Sequence, residues 1–337
     1  MNFDELYFVA SAWNTGNAIL IDGYDFLVTT TETIGLSNYA LIINGKEKKI
    51  AKVLLADFKT GIALLENVVT TNSLLNILNF ELSAYDQKSV AYQKNLFNKL
   101  HQLNCEIVKK DEGYNISTFE DYHLNDGTII FGRRGEFLGL VTKKNEKPTL
   151  LPAKYIMKLL EEFSDIDKES VRCLNCENII EKNQIINNRC PVCNNEISKE
   201  IIEDISPKLD ETARKIETLL IKNDYELKYC RYGKNLWNIS RGSASVFIRY
   251  NPKSKFIAAF SPLYQIKNNS SLLYKFLMRE NAKLEFLTFS LHKDMIYLDT
   301  PYFVADNFKT EIADIIFKEL FRLADYYDDV LAEMDKE

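Results

Sequence analysis

Four cysteines set the first limit on how this chain folds. Cys173 and Cys176 form one Cys-x-x-Cys pair, within Cys173-Leu174-Asn175-Cys176-Glu177. Cys190 and Cys193 form a second, within Arg189-Cys190-Pro191-Val192-Cys193-Asn194. Two such turns place four thiolates tetrahedrally around one Zn²⁺. A sphere closed by four sulfurs leaves no position for water, so the expected metal is structural. A segment this short cannot bury enough core by itself, and metal binding then supplies its folding free energy. The cysteines lie mid-chain, between stretches of different pattern, and divide the sequence into three parts.

The other two cysteines, Cys105 and Cys230, stand alone. Paired cysteines with isolated partners suit a reducing compartment holding metal better than a disulfide framework. The start, Met1-Asn2-Phe3-Asp4-Glu5, is acidic and lacks the basic and apolar regions of a secretion signal. Apolar runs are strand-sized, which argues against a membrane span. A cytoplasmic protein is the expectation. The net charge of −6 gives no global basic footprint for nucleic acid. With 337 residues, 46% of them hydrophobic, the chain can build two or three cored domains.

Residues 1 to about 150 read as β. Ala18–Ile21 and Phe26–Thr29 flank Asp22-Gly23, and Tyr39–Ile43 and Ile50–Leu55 flank Asn44-Gly45, two hairpin signals. Ile62–Leu65 reads as a buried strand. Val90–Tyr92, Cys105–Val108 and Tyr114–Ile116 are weaker candidates. Thr128–Phe131 and Phe137–Val141 form another pair. Many short strands with regular turns predict a barrel or sandwich. Pro152 opens a helix over Ala153–Phe163, charged residues 164–170 read as a linker, and 195–207 is acidic. Beyond it the pattern predicts a helix over 209–222 and strands at Leu227–Arg231, Leu236–Ser240, Ala244–Tyr250 and Phe256–Leu263. A helix over Ser271–Asn281, strands at Glu285–Leu291 and Met295–Thr300, and a long helix from Asp306 to about Met334 complete it. No internal repeat or low-complexity tract stands out.

The order of three anchors in the β region resembles trypsin-like serine proteases of the high-temperature-requirement branch. Gly16-Asn17-Ala18-Ile19-Leu20-Ile21 leads to Leu27-Val28-Thr29-Thr30-Thr31-Glu32-Thr33-Ile34, where the family has Thr-x-x-His. Gly61-Ile62-Ala63-Leu64-Leu65 stands where it has Asp-apolar-Ala-apolar-Leu. Leu124-Asn125-Asp126-Gly127-Thr128-Ile129 stands at the nucleophile motif, followed by Gly135-Glu136-Phe137-Leu138-Gly139-Leu140-Val141. The resemblance implies a double barrel and puts Glu32, Gly61 and Asp126 at the triad positions. Acyl transfer needs a nucleophile, a base and an orienting partner, and this set supplies none of the three roles. Leu124 and Gly127-Thr128-Ile129 also replace the glycines of the oxyanion hole. Glu32 and Asp126 read first as solvated loop acids. Facing each other, they would instead be a carboxylate pair able to split its pKa values. The three histidines, His101, His123 and His292, form no spaced cluster.

The cysteine segment resembles a zinc ribbon. Arg172, Lys182 and Arg189 are offset by Glu177, Glu181, Glu196, Glu200, Glu203 and Asp204, and no aromatic lies between the pairs, which argues against nucleic acid. A spacer or protein-contact role is expected, with redox use of the pairs the weaker alternative. Residues 208–334 resemble the type III secretion chaperone-like fold, including YbjN-like proteins. Trp237-Asn238-Ile239, Val246-Phe247-Ile248-Arg249-Tyr250-Asn251-Pro252, Phe260-Ser261-Pro262-Leu263, Leu273–Asn281 and Leu323–Leu331 carry that resemblance. Members bind polypeptide segments and often dimerise, so it implies a peptide or protein partner and, as one state, a homodimer through this domain.

The expected fold is multidomain: an all-β trypsin-like double barrel over residues 1–165, a zinc ribbon over 170–198 and an α+β chaperone-like domain over 205–337. The expected function is a non-catalytic protein-binding or adaptor protein on an inactive protease scaffold, with one structural Zn²⁺ on Cys173, Cys176, Cys190 and Cys193. Two alternatives stay open: a hydrolase using Glu32 and Asp126, and a zinc-ribbon nucleic-acid-binding protein.

Overall fold

Every side chain of the first strand, β1 (Leu6–Ala10), is buried, because its two faces meet different cores. Tyr7 and Val9 point into one cluster and Leu6 into another. The computed structural model describes residues 6–45, 47–69, 87–97, 99–110, 113–118, 123–132, 135–144, 147–163, 168–242, 244–266, 271–300 and 303–334. They fall in two compact units, Met1–Pro207 and Lys208–Glu337.

In the first unit β1 is followed by β2 (Thr15–Leu20), β3 (Phe26–Thr30), the one-turn α1 (Thr31–Ile34), β4 (Tyr39–Asn44), β5 (Glu47–Asp57) and β6 (Ile62–Glu66). They pair in the order β5-β4-β1-β2-β3-β6, and β6 pairs back onto β5, which closes a six-stranded barrel. Tyr7, Val9, Ala18, Leu20, Leu27 and Leu65 fill it. A second closed barrel follows: β7 (Gln87–Lys94), β8 (Leu100–Lys110), β9 (Gly113–Thr118), β10 (Ile129–Gly132), β11 (Phe137–Lys144) and β12 (Lys147–Pro152), in the order β10-β11-β12-β9-β8-β7. Its interior holds Leu103, Cys105, Ile107, Ile130, Leu138 and Val141. Between the barrels, strand faces of both meet α2 (Ala153–Phe163), whose Ile156, Leu159, Leu160 and Phe163 share a third core with Leu64, Phe131 and Leu140. Closure removes free edges, which suits strands this short. The expected double barrel is thus present, with two strands that the sequence pattern did not disclose. β1 is an unbroken apolar run without alternation, and β12 carries Pro148 and Pro152, residues that ordinarily demote a strand.

The cysteine segment continues the first barrel. β13 (Ser170–Arg172) runs parallel to β5 at Leu55 and Ala56, and β14 (Ile179–Glu181) pairs with β13. A small core of Val171, Ile180 and Ile197 with the buried Cys173 and Cys190 lies beneath. After the one-turn α3 (Lys199–Ile202), the chain is tied back to the barrel. Ile205 N donates to Leu36 O at 3.1 Å, Asn38 N to Asp204 Oδ1 at 3.0 Å, and Trp13 Nε1 to Ile205 O at 2.8 Å.

The second unit contains α4 (Glu211–Lys222), α5 (Leu227–Cys230), β15 (Leu236–Arg241), β16 (Ala244–Asn251), β17 (Phe256–Gln265), α6 (Ser271–Asn281), β18 (Thr288–His292), β19 (Met295–Asp299), β20 (Phe303–Val304) and α7 (Thr310–Met334). The sheet runs β15-β16-β17-β19-β18, with β20 also on β17. α4, α6 and α7 pack on one face of it, around Trp237, Val246, Ile248, Ile257 and Leu298. The strand expected at Leu227–Arg231 is instead the single helical turn α5. Leu227 and Cys230 turn inward while Lys228 and Tyr229 stay exposed, an inward spacing of three rather than the two of a strand.

Candidate functional site

Asp126 and Asn17 form a hydrogen-bonded joint between the two barrels, close to α1. Thr31 N donates to Gly61 O at 3.0 Å, setting Gly61 beside the start of α1. Asp126 sits under the same corner, in a parallel bridge with Gly16, and its carbonyl accepts from Asn17 N at 2.8 Å. Asn17, 0% exposed, also spans the barrels with its side chain: Oδ1 accepts from Lys94 N at 2.7 Å, and its carbonyl accepts from Thr29 Oγ1 at 2.7 Å. Gly127 packs against that peptide so closely that a Cβ would stand 1.9 Å from Asn17 O, and its φ of +72° disfavours any other residue.

Asp126 is not the solvated loop acid expected: it is 1% exposed. Its Oδ2 is 3.5 Å from Asn14 Nδ2 and 3.9 Å from Lys143 Nζ, while Oδ1 has no hydrogen-bond partner among the described residues. Burial pushes its carboxyl up to about 6, Lys143 works against that, and the nearby Glu32 charge adds to it. Glu32 itself is exposed, as expected. Gln93, which the sequence did not mark, fixes the loop before Asp126: Oε1 accepts from Asn125 N and from Thr128 Oγ1, both at 2.8 Å. Gly127 N donates to Val141 O at 2.7 Å. These two backbone amides are therefore committed internally rather than offered to an oxyanion. His123 is exposed, His101 Nε2 is 2.9 Å from Asn95 Nδ2, and His292 ends β18 in the other unit.

The four cysteine sulfurs lie within 4.8 Å of one another. Cys173 and Cys193 sulfurs are 3.7 Å apart and those of Cys176 and Cys190 3.6 Å apart. Tetrahedral ligands about 2.3 Å from a zinc ion stand roughly 3.8 Å apart, so the set fits that metal. The two turns are copies of each other. Glu177 N donates to Cys173 O and Asn194 N to Cys190 O, both at 2.9 Å. Glu177 and Asn194 each take a positive φ, 63° and 59°. Arg172 Nη1 donates to Glu177 O at 2.7 Å, and Arg189 Nη1 to Asn194 O at 2.9 Å. The repeated signal, Arg-Cys-x-x-Cys-x-Asn, is in the sequence at 172–178 and 189–195, and corrects the reading that the chain has no internal repeat. Asn178, whose Nδ2 donates to Cys176 O at 3.3 Å, draws the Cys176 thiol down, while burial pushes the Cys190 thiol up.

In the second unit, the sheet face turned from the helices carries a row of rings. Tyr232 meets Phe247 edge-on at 6.1 Å, Phe247 stacks on Phe260 at 5.5 Å, and Phe260 meets Tyr297 edge-on at 6.1 Å. Beside it lies a cavity of ≈ 730 Å³ lined by β16, β17, β18 and β19, including Arg249, Phe256, Phe260, Thr288 and Asp299. It opens where β17 exchanges partners, Phe256 and Ile257 pairing with β20 and Phe260 onward with β19.

Residues 235–334, which hold these elements, match the family described as T3SS (YopN, CesT) and YbjN peptide-binding chaperone 1. No curated protein matches the chain. Among solved structures, a protease of Mycobacterium tuberculosis in an inactive form is 17% identical over 47% of this chain and 88% of its own, with a TM-score of 0.40. A high-temperature-requirement-type protease solved with a tripeptide is 13% identical, covering 50% and 62% of the two chains, with a TM-score of 0.41. The serine endoprotease of Yersinia pestis is 12% identical, covering 50% and 65%, with a TM-score of 0.39. The two barrels are set by the strand pairings. Among the described residues no helix is long and apolar enough to cross a membrane.

Proposed function

We propose that this chain is a non-catalytic protein-binding protein. In this reading its second unit holds a peptide segment, its two barrels serve as a scaffold, and one structural Zn²⁺ sits on Cys173, Cys176, Cys190 and Cys193. The observation that carries the reading is the cavity on the ring-bearing sheet face, inside the residues that match a peptide-binding chaperone family. Loss of protease chemistry is supported by the joint around Asp126, whose carboxylate is 1% exposed and whose flanking amides are internally bonded. Reduced cysteines holding a metal suit a cytoplasmic setting. A homodimer through the second unit belongs to the same reading and is checked by sedimentation.

The test is calorimetric titration of the full chain with a peptide library, beside turnover assays on peptide and ester panels. Saturable peptide binding without turnover is expected. Elemental analysis should return one zinc per chain. A second reading, hydrolysis by Glu32 and Asp126, is favoured by the raised Asp126 carboxyl alone. A bell-shaped pH–rate profile abolished by Asp126→Asn would establish it in place of the first.

A further inference from the structure

The lining of the sheet cavity holds one cation, Arg249, and one acid, Asp299, and the two differ in what they are bound to. Arg249, on β16, lines the cavity and is exposed, and no carboxylate among the described residues pairs with it. Lys253, exposed, stands between the lining residues Asn251 and Ser254. That turn is fixed in shape, because Asn251 Oδ1 accepts from Lys253 N at 3.0 Å and from Ser254 N at 3.3 Å. Lys255, the next cation along, is already bound to Asp306 at 3.0 Å.

The acid of the cavity, Asp299, is half-buried and already engaged, its Oδ2 accepting from Ser290 Oγ, whereas the Arg249 guanidinium is exposed. The floor is apolar and aromatic: Phe256, Ala258, Ala259 and Phe260. A guanidinium beside aromatic faces holds a carboxylate through paired N–H donors while the rings take an apolar neighbour.

We propose, resting on the peptide-binding reading, that this cavity selects acidic peptide segments. Arg249 takes the carboxylate of an Asp or Glu. Phe256 and Phe260 take the apolar or aromatic residue beside it. A cationic rim over aromatic rings could equally meet single-stranded nucleic acid, whose bases stack on such faces. The confined ≈ 730 Å³ cavity, lined by one arginine in place of an extended basic groove, favours the peptide.

Fluorescence anisotropy on the full-length protein separates the cases. The probes are a labelled peptide of alternating Glu and Phe, its Gln-for-Glu and Lys-for-Glu versions, and an octamer of deoxythymidine. The Glu peptide should bind about tenfold or more tightly than the Gln version, and less tightly as salt rises. Arg249→Gln should lose about that same factor, and Arg249→Lys should recover only part of it. Arg249 is exposed, so these variants should keep the wild-type melting temperature. Equal binding of Glu and Gln peptides, or no effect of Arg249→Gln, overturns the charge selectivity and leaves peptide binding standing. Binding of none of the peptides overturns both. Displacement of the Glu peptide by the oligonucleotide at lower concentration assigns the face to nucleic acid and overturns the proposal.

Discussion

Asp126 is an acid held where its charge costs free energy. Its carboxyl titrates near 6 in the fold against 3.8 in the ordinary state, so the folded protein binds that proton more tightly than the unfolded chain does. Stability from this group is full below about pH 3.8 and is lost as pH rises to about 6; above that the ionised form costs roughly 3 kcal/mol at most. Asp126→Asn should therefore stabilise the first unit at pH 7 by about 1–3 kcal/mol and remove that part of the slope between pH 4 and 6. Urea melts of both proteins at several pH values check this, and a variant less stable than wild type at pH 7 would refute it. The position of Asp126 was legible from the Asn-Asp-Gly-Thr motif between apolar runs. Its burial was not, because that depends on contacts with Asn17 and Gln93, far back in the chain, and with Lys143 in β11, which the local motif does not reveal.

At the scale of elements, the two cysteine turns repeat in sequence but not in their surroundings. Arg189 serves only its own turn among the described residues, donating to Asn194 O. Arg172 does that and more: Nε donates to Asp57 Oδ2 at 2.8 Å and Nη2 to Glu162 Oε2 at 2.7 Å, joining β13 to the end of β5 and to α2. Asp57 is 0% exposed, so removing its partner strands a buried charge. Arg172→Ala should cost about 3–5 kcal/mol, and Arg189→Ala about 1 kcal/mol, read by denaturant melts of metal-loaded protein. Equal losses would show that the turn, not the barrel junction, is what Arg172 supports. A second element carries its own edge protection. Asn281, closing α6, presents Oδ1 to Phe289 N at 2.6 Å and Nδ2 to Phe289 O at 3.1 Å, occupying backbone groups of β18. Asn281→Ala should destabilise the second unit by about 1–3 kcal/mol and raise its tendency to aggregate, measured by melting and light scattering. Elements bounded by turns or helical periodicity, such as β2–β3 and α6, were legible in the sequence. β1, β12 and the parallel β13–β5 pairing were not, since they depend on partners far along the chain.

At the scale of the whole molecule, the metal should stabilise more than the segment that binds it. An independent zinc module would lose its fold on chelation and leave its neighbours unchanged. Here β13 is a strand of the first barrel's sheet, Arg172 spans that sheet and α2, and the stretch after the cysteines returns to Leu36, Asn38 and Trp13. Free energy supplied at the sulfurs is therefore transmitted to the first unit. The second unit has its own core, which shares no residue with the others. Scanning calorimetry of the full chain should show two transitions. A strong chelator should lower one of them by roughly 8–16 °C, as a loss of about 4 kcal/mol does in a domain of this size, and leave the other in place. Cys176→Ser in the absence of chelator should reproduce the same selective shift. If chelation moves both transitions together, the cores are energetically joined; if it moves neither while zinc is released, the barrels stand without the metal. Only the selective shift accords with a metal site built into one barrel's sheet.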